Sequence, residues 1–314
     1  MFQFLEKQKH PVILCALGFL LVITSYFEVA DITKLQISRA ASPIYPLYIL
    51  GVFLIVISIF LYVFEENSAD LFLGNSAFGW LTLGKVKRTK NGFSSIVNSS
   101  AINIIFGRID TIESDADTSL IVLPSNEFFD DECINDKRSA LGAFIQAKYP
   151  NQIEQIQHLL KERLVNLPSQ DVEKETGILQ KSFGVGTCIF LDQPLSSKQK
   201  ILFLSVTTKR AGEGLRAEMS YIFKAVNKIQ GIVADKRLSS VYVPLIGSGH
   251  GGLKKEVALF GMLLAVCDAL TRPSGHSIKS FNIIVFQASE KDKPNVPPEI
   301  AKRLLKTTTG MFFN

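Results

Sequence analysis

Two long apolar runs within the first 64 residues constrain the fold of this 314-residue chain more than any other feature of its sequence. Val12–Phe27 has 16 residues without a charge, and Ile44–Phe64 has 21. At 1.5 Å of rise per helical residue, the second run would be about 31 Å long, which matches the hydrocarbon core of a bilayer. Each run is therefore a candidate transmembrane helix.

The first run also has features of a cleavable signal peptide. Lys7 and Lys9 precede it, as basic residues precede the apolar part of such a peptide. The candidate cleavage site, Glu28-Val29-Ala30, has a carboxylate where a small residue is required, and a second apolar run follows after 16 residues. These features favour a helical hairpin that stays in the membrane. The predicted hairpin occupies residues 1–66, with spans over about 12–30 and 44–64, and a connector follows over 67–92.

The orientation of the hairpin is predicted from basic residues and cysteines. Lys85, Lys87, Arg88 and Lys90 follow the second run and favour a cytoplasmic position for the rest of the chain. The four cysteines are far apart and form no CxxC pair, which favours a reducing compartment. Neither span has an ionisable side chain, so a plain anchor and a hairpin that acts only after assembly both remain open.

Composition and histidine placement exclude several classes of function. A net charge of +5, from 34 basic and 29 acidic residues, is too small to indicate nucleic-acid binding. His158 and His276 have no nucleophile pattern nearby, and the chain has neither an HExxH motif nor paired metal-ligand spacing. We therefore predict no catalytic residues, no metal and no cofactor. His250, within a glycine-rich segment, is the one histidine with a candidate binding role.

Residues 93–314 alternate between strand and helix patterns, which is typical of one α/β domain with a mostly parallel sheet. Continuous apolar runs such as Ser119–Leu123 indicate buried strands. The predicted strands cover 101–106, 119–123, 187–191, 201–206, 240–246 and 281–286. The predicted helices cover 152–165, 215–229, 253–270 and 298–306.

The sharpest functional signal is a glycine-rich segment between a predicted strand and a predicted helix. Gly247, Gly249 and Gly252 match the pattern GxGxxG. Glycines allow close approach of a ligand, and the N–H groups of such a loop, with the helix N-terminus, attract phosphate. Leu253 stands where a Walker motif requires lysine, and a Rossmann loop would open its domain and have an acidic residue after the next strand. A phosphate-binding loop of another class and a structural turn without a ligand both remain open.

Three segments, in the same order, resemble the macro domain family, an α/β fold that binds ADP-ribose. Gly107-Arg108-Ile109-Asp110-Thr111 resembles the family's Gly-Asp-Ile-Thr-like element, Ser125-Asn126 ends a buried strand as in the family, and Pro244–Gly252 matches its later phosphate loop. The resemblance covers about residues 93–290. It implies a macro-like ligand-binding domain over 93–314, with a mostly parallel sheet flanked by helices.

The resemblance also implies a set of ligand-binding residues. The glycine-rich loop would hold the pyrophosphate of ADP-ribose. Asp110, or Asn126 with Ser125, would contact the nucleoside and ribose, and the region of Asp130 would face the variable end of the ligand. The loop residues are Gly247, Ser248, Gly249, His250, Gly251, Gly252 and Leu253.

Two departures from the family pattern bear on activity. Arg108 occupies the place of the family's adenine-binding aspartate, and Asp110 lies two residues later. A segment without glycine, Glu127–Cys133, replaces the glycine triplet with which hydrolytic members position the distal ribose and a water. The resemblance therefore implies binding with altered specificity rather than hydrolysis. A membrane-tethered ADP-ribosyl hydrolase, which Asn126 supports, stays an alternative.

A two-span hairpin followed by a divergent macro domain is similar to the type II Thoeris effectors, the ThsA family. The resemblance implies an anti-phage defence effector at the bacterial plasma membrane, with its macro domain in the cytoplasm. In that family a partner TIR protein makes histidine-conjugated ADP-ribose, whose binding triggers oligomerisation, membrane disruption and cell death. The implied partners are this nucleotide, the lipid bilayer and further copies of the chain, with no nucleic acid. A passive scaffold that binds ADP-ribosylated proteins is the remaining alternative.

Overall fold

The chain divides into two compact units, Met1–Trp80 and Leu81–Asn314. The computed structural model describes residue 22 and residues 27–31, 36–39, 49–56, 84–115, 117–196 and 199–312.

The described part of the first unit contains two short antiparallel strands and a helical segment. Strands β1 (Phe27–Asp31) and β2 (Gln36–Arg39) pair with Val29 opposite Ile37, and residues 49–56 are helical. The predicted extension of the first span over Val29 and Ala30 is therefore wrong, because these residues satisfy their backbone hydrogen bonds in a strand pair rather than in a helix. The rest of the first span lies outside the described residues, except for residue 22, which is helical.

The second predicted span, 44–64, is described only over its helical residues 49–56. Most side chains of this segment are exposed, including those of Ile49, Leu50 and Phe53. Across the described ranges, no helix combines the length and the apolar character that crossing a bilayer requires.

An eight-stranded sheet forms the centre of the second unit. Its strands are β3 (Lys87–Thr89), β4 (Gly92–Val97), β5 (Ser100–Gly107), β6 (Ser119–Asn126), β9 (Cys188–Asp192), β10 (Lys200–Thr207), β11 (Ser240–Pro244) and β12 (Ser280–Phe286). They lie in the order β3-β4-β5-β12-β11-β6-β10-β9. Strands β7 (Gln170–Glu175) and β8 (Ile178–Ser182) form a separate antiparallel hairpin. Because β3 and β4 join this sheet, residues 84–92 of the predicted connector belong to the second unit.

The sheet is mixed but mostly parallel, as the sequence predicted. The five strands from β5 to β10 in the spatial order are parallel, and antiparallel pairs close both ends. The central strands are apolar along their whole length because both of their faces are covered. Leu120 and Ile121 point to opposite faces, and both are fully buried.

Helices cover the sheet on both faces and give the unit three layers. They are α1 (Asp131–Asn135), α2 (Ala140–Lys148), α3 (Ile153–Leu164), α4 (Met219–Asp235), α5 (Lys255–Thr271) and α6 (Pro298–Met311). Leu120 and Val122 belong to the apolar cluster that includes residues of α4, α5 and α6. Ile121 and Leu123 belong to the cluster that includes residues of α1, α2 and α3. The alternation along β6 therefore divides the core into two halves.

The helix predicted over 215–229 begins four residues later, at Met219. Arg216 instead pairs its backbone with Thr208, through N–H to carbonyl distances of 2.8 and 3.0 Å. Ala217 donates its N–H to the carbonyl of Gly251 at 2.9 Å. These bonds fix residues 215–217 as an extended segment beside the glycine-rich loop. A helical turn at these residues would break the bonds, so the helix begins later.

Candidate functional site

A cleft lies at the carboxyl ends of the parallel strands, where ligands bind in open α/β sheets. It consists of two adjoining cavities, which we name the Asn126 cavity, of about 350 Å³, and the Asp110 cavity, of about 340 Å³. The wall that the two cavities share consists of Arg138, Ser139, Ala140, Pro244, Leu245 and Gly249. Pro244 ends β11, so the strand leads directly into the centre of the cleft.

The glycine-rich loop, residues 247–253, joins β11 to α5 along this cleft. Gly247 and Gly252 have φ angles of +82° and +74°, which favour glycine because an L side chain is strained there. The N–H of Leu253 donates to the carbonyl of Gly247 at 3.0 Å and closes the loop. The chain thus turns twice within seven residues before the helix begins at Lys255, two residues later than predicted.

Three consecutive N–H groups of the loop are available to a ligand. Those of Gly249, His250 and Gly251 donate to no acceptor in the ranges that the structure describes. All three residues line the Asn126 cavity, and Gly249 lines the Asp110 cavity as well. A row of unpaired backbone N–H groups binds anions, above all phosphate oxygens.

The remaining loop residues hold the loop in place. Ser248 donates its hydroxyl to the carbonyl of Leu245 at 3.0 Å. The side chain of Leu253 packs against Gly247, where an added Cβ would lie 2.8 Å from its Cδ1. His250 is half-exposed, and its Nε2 lies 3.2 Å from Oδ2 of Asp136, in the segment between α1 and α2.

Asp110 reaches the cleft from a short 3-10 helix, Ile109–Thr111, which follows β5. Its carboxylate is nearly buried and accepts three hydrogen bonds from Arg108, of 2.8 to 3.2 Å. These bonds and the charge of Asp110 raise the pKa of Arg108 above its ordinary value. Both side chains line the Asp110 cavity, so the arginine that replaces the family's aspartate holds the aspartate two residues later.

Ser125 and Asn126 end β6 and form the buried floor of the Asn126 cavity. The amide oxygen of Asn126 accepts the N–H of Phe128 at 3.0 Å, and its amide nitrogen donates to Asp130 at 3.1 Å. Asn126 therefore contacts the cavity and also fixes the segment that follows it.

Asp130 lies behind Asn126 and lines neither cavity, and of the other predicted site residues Gly252 and Leu253 also line neither. Its carboxylate is 9% exposed and accepts a hydrogen bond of 2.9 Å from Lys174 of β7, whose side chain is 6% exposed. Burial lowers the pKa of Lys174, but the hydrogen bonds and charges of Asp130 and Glu132 raise it by more, so the pKa lies above its ordinary value. Asp131 pairs with Lys161 at 2.9 Å. Each carboxylate of the acidic run thus pairs with one of two lysines of the protein.

Several cleft residues were missed in the sequence. Arg138, Ser139 and Ala140 form the shared wall at the start of α2, and Cys133 and Thr207 line the Asn126 cavity. The signal that identifies the wall is Ser139, an N-cap whose hydroxyl accepts the N–H of Gly142 at 2.8 Å.

Two groups near this wall, Cys133 and Asp136, have shifted pKa values. Burial and the charge of Asp130 raise the pKa of Cys133 to about 11, so its thiol is neutral at physiological pH. The Nε of Arg138 donates to Oδ1 of Asp136 at 2.9 Å, and this pairing lowers the pKa of Asp136. In the described part of the chain, no three His, Cys, Asp or Glu side chains group closely enough to hold a metal ion.

Comparison with known families decides the relationship. The sequence model of the family described as "Thoeris protein ThsA, Macro domain" matches residues 102–280, more than half of the chain. The chain belongs to this family. The match runs from β5 to the first residue of β12 and includes the glycine-rich loop and all residues that line the Asn126 cavity. The mixed, mostly parallel sheet between two helical layers is accordingly a macro-domain fold.

Solved macrodomains from three organisms are similar to the chain. The Oceanobacillus iheyensis macrodomain with ADP is 17% identical with a TM-score of 0.46, over 68% of this chain and 94% of that chain. The Trypanosoma brucei macrodomain in complex with ADP-ribose is 14% identical with a TM-score of 0.40, over 59% and 64%. The macrodomain of Thermus aquaticus DarG is 16% identical with a TM-score of 0.37, over 58% and 97%. Among curated proteins, none matches the chain.

Proposed function

We propose that the cleft of this ThsA macro domain binds an ADP-ribose derivative as a signal, with histidine-conjugated ADP-ribose as the expected ligand. The observation that carries this proposal is the row of unpaired N–H groups at Gly249, His250 and Gly251, which lies where two cavities meet. A diphosphate fits such a row because its oxygens accept several hydrogen bonds at once. Each cavity has the volume of a small-ligand pocket, so a nucleoside and a second sugar have room on either side.

The residues of the two cavities offer different hydrogen-bonding groups to the nucleoside and to the second sugar of the ligand. Asp110 provides a carboxylate that accepts a hydrogen bond from an amino group, which suits the adenine end. Ser125 and Asn126 offer a hydroxyl and an amide to a sugar. The glycine-rich loop holds the diphosphate between them. The carboxylate of Asp130 is already paired with Lys174, so any contact to the variable end of the ligand comes from other side chains.

The binding site is tested by calorimetry on the full chain in detergent, with ADP-ribose and histidine-conjugated ADP-ribose as ligands. An added Cβ at Gly249 meets nothing within 4 Å, so the backbone accepts a side chain there, and Gly249→Glu brings a carboxylate to the N–H row. We expect this variant to lose binding of both ligands. Gly231→Glu is the matched control, because Gly231 is equally open, exposed and outside the cleft. Binding by Gly249→Glu with unchanged affinity, or no binding by the unaltered chain, would overturn the proposal.

We further propose that the chain acts as a non-enzymatic effector at the bacterial plasma membrane, downstream of a TIR protein. The N-terminal apolar runs would form the predicted hairpin, and ligand binding would shift the chain towards an assembled state that disrupts the bilayer. The ligand drives this shift only through its higher affinity for the assembled state. Dye release from liposomes that contain the full chain tests this role. We expect release on addition of the conjugate, and a passive scaffold predicts none.

Hydrolysis is the second candidate, because Asn126 lies at the floor of the cavity where the distal sugar would bind. The glycine triplet of hydrolytic relatives is absent, and Glu127 is held by Arg210 and Ser182 rather than free to activate a water. Incubation of the full chain with an ADP-ribosylated protein separates the two candidates. Release of ADP-ribose would establish the enzyme.

A further inference from the structure

One carboxylate lies close both to a side chain of the shared wall and to a side chain of the glycine-rich loop. Asp136 lies between α1 and α2, and its Oδ1 accepts a hydrogen bond from Nε of Arg138 at 2.9 Å. Its Oδ2 accepts from Nη2 of the same arginine at 3.3 Å and lies 3.2 Å from Nε2 of His250. The side chain of Asp136 therefore hydrogen-bonds to a side chain of the shared wall and lies close to a side chain of the glycine-rich loop.

The arginine of this cluster stands where an anionic ligand needs a positive charge. Of the described residues that line both cavities, Arg138 alone carries a charge. Its side chain is 83% exposed, so it can rotate without disturbing the core. Arg108, the other arginine of the Asp110 cavity, donates its Nε and Nη2 groups to the carboxylate of Asp110. Gly249 belongs to the same shared wall, which brings the guanidinium and the N–H row to one part of the cleft.

We propose that Arg138 binds the diphosphate of the ligand and that Asp136 occupies this guanidinium until the ligand displaces it. The proposal rests on the proposed function and names a binding residue outside the three segments that resemble the macro domain family. A guanidinium fork fits a carboxylate and a phosphate in the same bidentate manner, so the two anions compete for one site. Displacement of Asp136 also separates its carboxylate from His250.

The exchange makes the cleft selective for the charge of its ligand. A neutral nucleoside gains no affinity from Arg138 and leaves the Asp136–Arg138 pair intact. A diphosphate contacts the guanidinium only after it displaces Asp136, and the free energy of breaking the Asp136–Arg138 pair reduces its affinity. The two residues therefore have opposite effects on affinity, and only for ligands that carry the diphosphate.

Substitution of both residues, singly and together, tests the exchange on the full chain in detergent with ADP-ribose and adenosine as probes. Arg138→Ala removes the cation, and we expect about ten-fold or greater loss of ADP-ribose affinity, as for a lost charge-assisted hydrogen bond. Asp136→Asn removes the competing charge but keeps an oxygen in the place of Oδ1. In the unaltered chain this oxygen accepts a hydrogen bond from the backbone N–H of Arg138 at 3.0 Å. We expect it to tighten ADP-ribose binding several-fold. Adenosine affinity should stay the same in both variants.

The double variant distinguishes competition from simple repulsion between Asp136 and the ligand. If Asp136 acts by occupying Arg138, then Asp136→Asn brings no gain once Arg138 is alanine. A gain that persists in the double variant would overturn the exchange, as would an unchanged ADP-ribose affinity in Arg138→Ala or an equal loss for adenosine. These outcomes differ from failure of the binding site itself, in which the unaltered chain binds neither probe. Thermal unfolding of each variant verifies that it is folded.

Discussion

Two nearby glycines of the glycine-rich loop should respond in opposite ways to the same substitution. An added Cβ at Gly251 would lie 2.7 Å from the Cβ of Ala217, 3.0 Å from the carbonyl oxygen of Gly247 and 3.1 Å from Cγ2 of Thr207. Carbon atoms in good contact are about 3.5–4.0 Å apart, so the first overlap alone approaches 1 Å. An added Cβ at Gly249 meets no atom within 4 Å. The loop is therefore packed at one glycine and open at the other.

The magnitude follows from the cost of overpacking. A methyl group forced into a filled site lowers the free energy of unfolding by about 1–3 kcal/mol. For a unit of this size each kcal/mol corresponds to about 2–4 °C in Tm. We expect Gly251→Ala to lower Tm by roughly 2–12 °C and to weaken ligand binding, because the loop must move to accept the methyl group. Gly249→Ala should change the free energy of unfolding by no more than about 0.5 kcal/mol.

Calorimetric unfolding of the full chain in one detergent compares both variants with the unaltered protein. Each variant adds one methyl group to the same loop, so each is the control for the other. The packing argument fails if Gly251→Ala melts within 1 °C of the unaltered chain, on the order of the smallest shift worked out above. It fails equally if Gly249→Ala is destabilised to the same extent.

Three further predictions concern the surroundings of the cleft. Lys174→Met leaves the nearly buried Asp130 unpaired and should lower the free energy of unfolding by about 3–5 kcal/mol in urea titrations; a loss below about 1 kcal/mol would contradict a buried ion pair. Ser139→Ala removes the N-cap of α2 and should lower the free energy of unfolding by about 1 kcal/mol, which corresponds to a decrease in Tm of about 2–4 °C. The control is Ser220→Ala, on the first turn of α4, which should leave Tm nearly unchanged. Cys133, with its pKa of about 11, should react with iodoacetamide faster as pH rises towards 11, and ADP-ribose should slow the reaction; a rate that levels off near pH 8.5 would contradict the raised pKa.

The central fold could be predicted because its strands are apolar without interruption. Leu120–Leu123 and Ile201–Leu204 are fully or almost fully buried, and such runs have few alternatives in a chain of this length. The hairpin of β7 and β8 was not predicted, because the sequence of β7 (QDVEKE) is polar and mostly exposed. Its one buried residue is Lys174, whose burial depends on a carboxylate 44 residues away. No local pattern carries that information.

The candidate site was predictable to the extent that its residues are local. The glycines of the loop show their role because φ and close packing exclude other residues at Gly247 and Gly251. The environment of Asp130 was misjudged, because its partners come from β7 and its burial from tertiary packing. Arg138 was missed because nothing near it in the sequence resembles a phosphate motif, and its position in the cleft follows from where α2 begins.

The contact between Ala217 and the loop has a consequence for how sequences of this family diverge. One methyl group lies within 3.2 Å of the places where both Gly247 and Gly251 would carry a Cβ, and it touches no part of either cavity. In a relative with glycine at the position of Ala217, alanine at the position of Gly251 would lose the closest of its three short contacts. The two positions, 34 residues apart in the chain, should therefore covary across an alignment. An isoleucine or leucine at position 217 should occur only where the loop itself has been lengthened or rebuilt.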